Sequence, residues 1–329
     1  MKIAMFDVHR FDQKVFTPIA ESFGVHFDYF ETRLTMETVK LTKGYRVLCC
    51  FVNDNLDENV LAELAGGSVE LIALRCAGFN NVDVECANRL GIKVVRVPKY
   101  SPYSVAEHAV ALILCLLRKI HKSYNRVRDH NFSLEGLVGR EIHGKTVGVV
   151  GTGKIGSTFV KIMNGFGCKI LAFDLFKDPT LVEKYECSYV GLDELLNKAD
   201  IVSLHLPLTS VTKHILNEKT MSNLKGGVTL INTGRGGLID TCALLRKLES
   251  GTIGAAGLDV YEDESRFFFQ DLSESIISDD CLVRLLSFPN VIMTSHQAFL
   301  THEALSNIAN TTIENIKDFE VGRPLKNQI

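Results

Sequence analysis

Short apolar runs alternate with longer segments of helical period along almost the whole chain. Before residue 100 the runs at 3–6, 26–30, 47–52, 71–77 and 93–97 read as strands. A second series follows at 146–150, 169–173, 201–205, 228–232, 254–259 and 291–295. Runs rich in β-branched residues, bounded by turns and separated by helical segments, predict parallel sheets with helices packed on their faces. Two such series predict two doubly wound α/β domains. Between them, Ser101-Pro102-Tyr103-Ser104-Val105-Ala106-Glu107-His108 opens an apolar helix expected to run to about Arg128. Ser101 suits its cap, Pro102 its first turn, and Glu107 the positive end of its dipole. A polar connection at 131–145 then leads into the second sheet. Past Phe299 an amphipathic helix is expected at 303–320 with no strand after it. It is expected to pack back on the first domain, making that domain discontinuous.

Composition narrows the class without changing this picture. A chain of 329 residues exceeds one compact core, and 46 % apolar with 23 % charged residues is a globular balance. A net charge of −3 with no long basic run leaves no electrostatic footprint for nucleic acid. No apolar stretch approaches the ~20 residues needed to span a bilayer. The opening Lys2-Ile3-Ala4-Met5-Phe6-Asp7 reads as a strand rather than a signal peptide, so the expected location is the cytoplasm. Nine cysteines without a CxxC spacing indicate neither a disulfide framework nor a bound metal.

The chemistry gathers where apolar runs end. Gly151-Thr152-Gly153-Lys154-Ile155-Gly156 follows one strand and opens a helix. Glycines there permit a tight turn, close approach of backbone to a pyrophosphate, and close helix–strand packing. The helix start, at Lys154 and Ile155, offers unpaired N–H groups to phosphate. Asp174 ends the next strand, where a carboxylate accepts ribose hydroxyls and repels a 2′-phosphate, favouring NAD over NADP. Other strand ends carry His205, Arg235, Asp259 and His296. Arg235, in the turn Asn232-Thr233-Gly234-Arg235-Gly236-Gly237, can bind a carboxylate by paired hydrogen bonds. His296 suits an acid–base role if a carboxylate fixes its tautomer. Spacing alone leaves Glu262, Asp263 and Glu264 open as that partner. His205 is a rival to His296, although Pro207 beside it suggests a wall next to the cofactor. Phe51, Tyr100 and Phe299 suggest aromatic walls for a small substrate side chain. Cys76 suits small apolar packing or an oxidant-sensitive position.

These motifs resemble those of the D-2-hydroxyacid dehydrogenase family, most closely its D-lactate dehydrogenase branch, over essentially the whole chain. The likeness includes Arg75-Cys76-Ala77-Gly78-Phe79-Asn80-Asn81-Val82-Asp83, the segment from Ser101 to His108, and the glycine fingerprint. It continues through 232–237, 257–264 and His296-Gln297-Ala298-Phe299. The resemblance implies a Rossmann NAD domain at 101–298 and a discontinuous, flavodoxin-like substrate domain at 1–100 and 299–329. It makes Arg235 the substrate-binding arginine, Glu264 the carboxylate partner and His296 the proton donor. Asp259 would contact the nicotinamide carboxamide, and Thr233 and Gly234 join His205 and Pro207 among the cofactor-lining residues. Amides of Ala77 and Gly78 would hold the substrate carboxylate, with Tyr100 and Phe299 bounding its side chain. Glycine at 234 stands where many relatives carry serine or alanine. The implied reaction is reversible hydride transfer between NADH and pyruvate to give D-lactate, with domain closure, in a homodimer or homotetramer. Glyoxylate, hydroxypyruvate or a longer 2-oxo acid is the alternative substrate, and an NAD-sensing protein without turnover the alternative class.

Overall fold

The structure is a computed structural model that describes every residue from Met1 to Ile329. The chain divides into two compact units, Met1–Ser101 with Leu300–Ile329, and Pro102–Phe299. The first unit is built on five parallel strands, β1 (Lys2–Met5), β2 (His26–Tyr29), β3 (Val47–Cys50), β4 (Leu71–Leu74) and β5 (Lys93–Val95), ordered β2-β1-β3-β4-β5. Most of these residues are buried, as expected of strands covered on both faces. The last helix, His302–Glu320, packs on the helix Arg10–Ser22 and on β4 of this unit. Thr301 caps it by accepting from the Ala304 amide at 3.2 Å.

The largest fully buried side chain of this unit is charged. Arg75, 1 % exposed, donates to the carbonyls of Phe6 at 2.9 Å and Asp7 at 2.5 Å. Its Nε lies 3.5 Å from Asp12, and its guanidinium lies 4.6 Å over the ring of Phe51. Phe51, read as an aromatic wall, is therefore packed under a cation in the interior. The run expected at 71–77 ends as a strand at Leu74 because Arg75 ties the chain to the neighbouring strand ends instead.

The second unit holds seven parallel strands: β6 (Thr146–Val150), β7 (Lys169–Phe173), β8 (Ser188–Tyr189), β9 (Ile201–Leu204), β10 (Val228–Asn232), β11 (Ile253–Leu258) and β12 (Val291–Met293). Their order is β12-β11-β10-β9-β6-β7-β8. β8, two residues long, is too short to leave a sequence pattern. Order reverses between β6 and β9, and in open sheets a ligand crevice forms outside the carboxyl ends at that point.

The long helix expected at 101–128 is broken. One helix covers Pro102–Leu117 and another Ile120–Arg128, separated by Lys119 in a left-handed conformation at φ 54°. The Leu117 carbonyl accepts from the Arg140 amide at 3.0 Å, and a Cβ on Gly139 would stand 2.5 Å from that same oxygen. A distant segment thus takes the acceptor that would have continued the helix. No helix is long and apolar enough to cross a membrane.

Candidate active site

The glycine turn after β6 is shaped by close backbone approach. Gly151 has φ 97°, and a Cβ there would stand 2.8 Å from the His205 backbone. A Cβ on Gly156 would stand 1.9 Å from the Gly151 carbonyl oxygen, so only glycine lets this helix start against the turn. Gly153, by contrast, faces open space. It precedes the helix Lys154–Gly165 with no side chain capping it, so the amides of Lys154 and Ile155 begin the helix without intrahelical partners. An open, uncapped, positively polarised helix start fits a pyrophosphate.

Asp174 follows β7, half-buried. Its carboxylate accepts from the Thr152 amide at 2.6 Å, the Thr152 hydroxyl at 3.2 Å and the Phe176 amide at 2.9 Å. These donors fix it beside the glycine turn, and lone pairs remain for ribose hydroxyls. Thr233 is buried with its hydroxyl lacking any partner, the orphaned polar atom expected of a residue that meets a cofactor. Pro207 is exposed, and its carbonyl accepts from the Thr212 hydroxyl at 2.6 Å. His205 meets the Ser203 hydroxyl at 2.9 Å and the Phe159 ring at 4.9 Å. Burial pushes its imidazolium down to about 3, so it is neutral near pH 7 and unsuited to proton donation there. His205 is thereby removed as a rival to His296.

His296 lies beyond β12 with φ 53°, a backbone region that non-glycine residues seldom occupy. Its amide donates to the Asp259 carbonyl at 2.7 Å, and its Nδ1 lies 2.8 Å from Glu264 Oε1. Glu264 Oε2 accepts in turn from the Tyr261 amide at 3.1 Å. Of the three carboxylates left open by spacing, Glu264 is the one brought to the imidazole. Glu262 is committed elsewhere, 2.5 Å from His214 Nε2 and 2.9 Å from the Thr241 hydroxyl.

Asp259, expected at the nicotinamide, sits under the turn that follows β12. It is 0 % exposed. Its oxygens accept from the Thr294 hydroxyl at 2.6 Å and from the amides of Gln297 and Ala298, both at 2.9 Å. Burial alone would raise its pKa, but His108, Thr294 and the Ala298 amide outweigh burial and hold it below the usual carboxylate range. Asp259 clamps the turn that carries His296.

Arg235 is half-buried, with one guanidinium nitrogen 2.8 Å from the Gly234 carbonyl. Asn232 builds its turn, accepting from the Gly234 amide at 3.0 Å and donating to the Arg235 carbonyl at 2.9 Å. A Cβ on Gly234 would meet nothing closer than 3.4 Å, so the absent serine or alanine leaves this turn intact. A Cβ on Gly236 would stand 2.1 Å from the Tyr261 carbonyl. The loops carrying Arg235 and Glu264 therefore touch through a position where any larger residue would part them.

In the first unit, Arg96 donates to the Ala77 carbonyl at 2.8 Å and stacks 5.0 Å over Phe79, while the Cys76 thiol donates to the Gly78 carbonyl at 3.2 Å. The first contact fixes the peptide unit that carries the Gly78 amide, and the second fixes the next one along. Tyr100, half-buried, has its carbonyl held by the Asn307 amide group at 2.6 Å, and Phe299 is buried in the second unit. Arg96, Asn232, Gly236 and Thr294 went unnoticed as site-builders in the sequence because each acts through contacts with remote or backbone atoms.

Gly236→Ala is expected to lower turnover by about 10²-fold, the cost of a displacement near 1 Å at a reacting group. Steady-state kinetics check this; unchanged turnover would contradict the contact between the two loops.

Comparison with known proteins places this geometry. Residues 110–298 match the model of the D-isomer-specific 2-hydroxyacid dehydrogenase NAD-binding domain. The D-lactate dehydrogenase of Escherichia coli is 46 % identical over 329 residues, covering 100 % of both chains, and its apo structure superposes with a TM-score of 0.92. The pyruvate reductase of Chlamydomonas reinhardtii is 47 % identical with a TM-score of 0.93, covering 99 % of this chain and 98 % of that one. An Aquifex aeolicus D-lactate dehydrogenase solved with NAD and lactic acid is 35 % identical with a TM-score of 0.86, over 97 % and 96 % of the two chains. The chain belongs to the D-isomer-specific 2-hydroxyacid dehydrogenase family, and its second unit is an NAD-binding domain.

Proposed function

We propose that this enzyme reduces pyruvate to D-lactate with NADH, reversibly, and that Arg235, Glu264 and His296 carry the reaction. The observation behind the proposal is the 2.8 Å contact of Glu264 with His296 Nδ1, on a loop packed against the turn of Arg235. The relatives named for lactate and pyruvate support the choice of substrate.

The helix start after Gly153 and the hydroxyl of Thr233 would hold NAD, with Asp174 on its ribose. When bound, the cofactor supplies the hydride. The chain supplies everything else. Arg235 pairs with the substrate carboxylate and fixes the keto carbon's orientation. Glu264 accepts the Nδ1 proton of His296, which leaves Nε2 to deliver a proton to the developing alkoxide. Reading the reaction backwards, the same nitrogen receives the hydroxyl proton of lactate.

A second copy of the chain is the proposed partner. Ile120 at 53 %, Tyr124 at 59 % and Val127 at 47 % exposure follow one helix face, and Phe132, Leu134 and Val138 continue the apolar surface at 71–85 %. That is more exposed apolar area on one segment than a solitary unit needs.

His296→Gln is expected to lower turnover by about 10²–10⁴-fold, the usual worth of a positioned proton donor; near-normal turnover in a stopped-flow assay refutes its role. Arg235→Lys should raise KM for pyruvate sharply, since an ammonium lacks the paired donors of a guanidinium. A panel of 2-oxo acids checks both that variant and the preference itself, and a wild-type preference for glyoxylate or a longer acid would displace pyruvate. By light scattering the protein should weigh a multiple of 36.5 kDa and Val127→Glu should weigh less; a 36.5 kDa wild type rules the self-association out.

A further inference from the structure

Two cysteines have no part in the site described above. Cys242 is exposed near the start of the helix Thr241–Glu249, and Cys281 is half-buried near the start of the helix Asp280–Ser287. The two helices pack against each other, and their starts, where Cys242 and Cys281 sit, converge on the turn 261–264. Six of the other cysteines are buried, and Cys115 faces His121 at 3.8 Å. No other two cysteines outside the buried interior stand at the starts of two packed helices.

Both helix starts also anchor the loop of Glu264. Thr241, beside Cys242, donates its hydroxyl to Glu262 at 2.9 Å. Asp279, two positions before Cys281, caps its helix at the Leu282 amide at 3.0 Å and accepts the Tyr261 hydroxyl at 2.8 Å. Tyr261 then donates its amide to Glu264 and packs its carbonyl against Gly236. Whatever draws the two helix starts together pulls on both ends of the Tyr261–Glu264 turn.

We propose that Cys242 and Cys281 form an oxidisable dithiol, whose disulfide displaces the loop that holds Glu264 against His296 and so slows turnover. The effect on turnover rests on the reading of Glu264 and His296 as the catalytic pair; formation of the bond does not. The two sulfurs must close to about 2.05 Å to bond, which draws the two helix starts together. Burial, with the neighbouring Cys242 and Asp279, pushes the Cys281 thiol up, and this leaves exposed Cys242 as the sulfur that an oxidant meets first. With hydrogen peroxide as oxidant, the Cys242 thiolate attacks one peroxide oxygen. The O–O bond breaks, water leaves, and a sulfenic acid remains. The Cys281 sulfur then attacks that sulfenic sulfur, the S–O bond breaks, and a second water carries off the hydroxyl. Two thiols are oxidised and one peroxide is reduced to two waters.

The test treats the full-length protein with hydrogen peroxide and follows non-reducing peptide maps and 2-oxo acid reduction in the same samples. A linked peptide joining Cys242 to Cys281, two hydrogens lighter than its parts, should accumulate as turnover falls by about tenfold or more, a displacement effect. Dithiothreitol should restore both. Cys242→Ser and Cys281→Ser should keep their activity before and after peroxide and give no linked peptide. The proposal is overturned if no such link forms, if the link forms with turnover unchanged, or if the serine variants lose activity to peroxide as the wild type does. Because the map reads the bond without turnover, a reduced protein inactive on every 2-oxo acid would overturn the functional reading rather than the dithiol.

Discussion

A single hydrogen bond organises the proposed active site, that between Glu264 and Nδ1 of His296 at 2.8 Å. It exists because His296 is held at φ 53°, a conformation that costs of order 1–3 kcal/mol and persists only where surroundings impose it. The surroundings are Asp259, whose carbonyl takes the His296 amide and whose carboxylate takes the next two amides and Thr294. A buried carboxylate with three such donors and His108 beside it is stable as the anion, so the clamp holds at neutral pH.

Close backbone approach does the remaining positioning. At Gly156 the absence of a side chain lets the nucleotide-binding helix start against its turn, and at Gly236 it lets the Arg235 turn rest on Tyr261. Both glycines stand just beyond the carboxyl ends of parallel strands, where the sheet leaves backbone groups facing outward. The fold thus supplies rigid strand ends, and the glycines set how near the functional loops come to one another.

Most of the fold was legible because its signal is local. Buried parallel strands are continuous apolar runs, and eleven of the twelve strands lie largely within a stated run or start one residue away; β8 is too short to leave a pattern. The glycine fingerprint was legible for the same reason, since strand, turn and helix are contiguous. Non-local facts were not. Nothing in the sequence near Leu117 reveals that Arg140 takes its carbonyl, and so the helix break was missed. Residue type showed that Asp259 is acidic but not that it is fully enclosed, nor that it clamps the His296 turn. Three acids within three positions could not be ranked by spacing; distance to the imidazole separates Glu264 from Glu262. Arg75, Arg96, Cys242 and Cys281 owe their roles to partners many residues away.

The central claim is that one guanidinium and one imidazole grip the same keto acid. A crystal structure with NADH and oxamate, an unreactive pyruvate analogue, tests it most directly. The account predicts the oxamate carboxylate on the forked nitrogens of Arg235 and its amide carbonyl oxygen within hydrogen-bonding distance of His296 Nε2. Oxamate bound with Arg235 and His296 turned into separate cavities would contradict it.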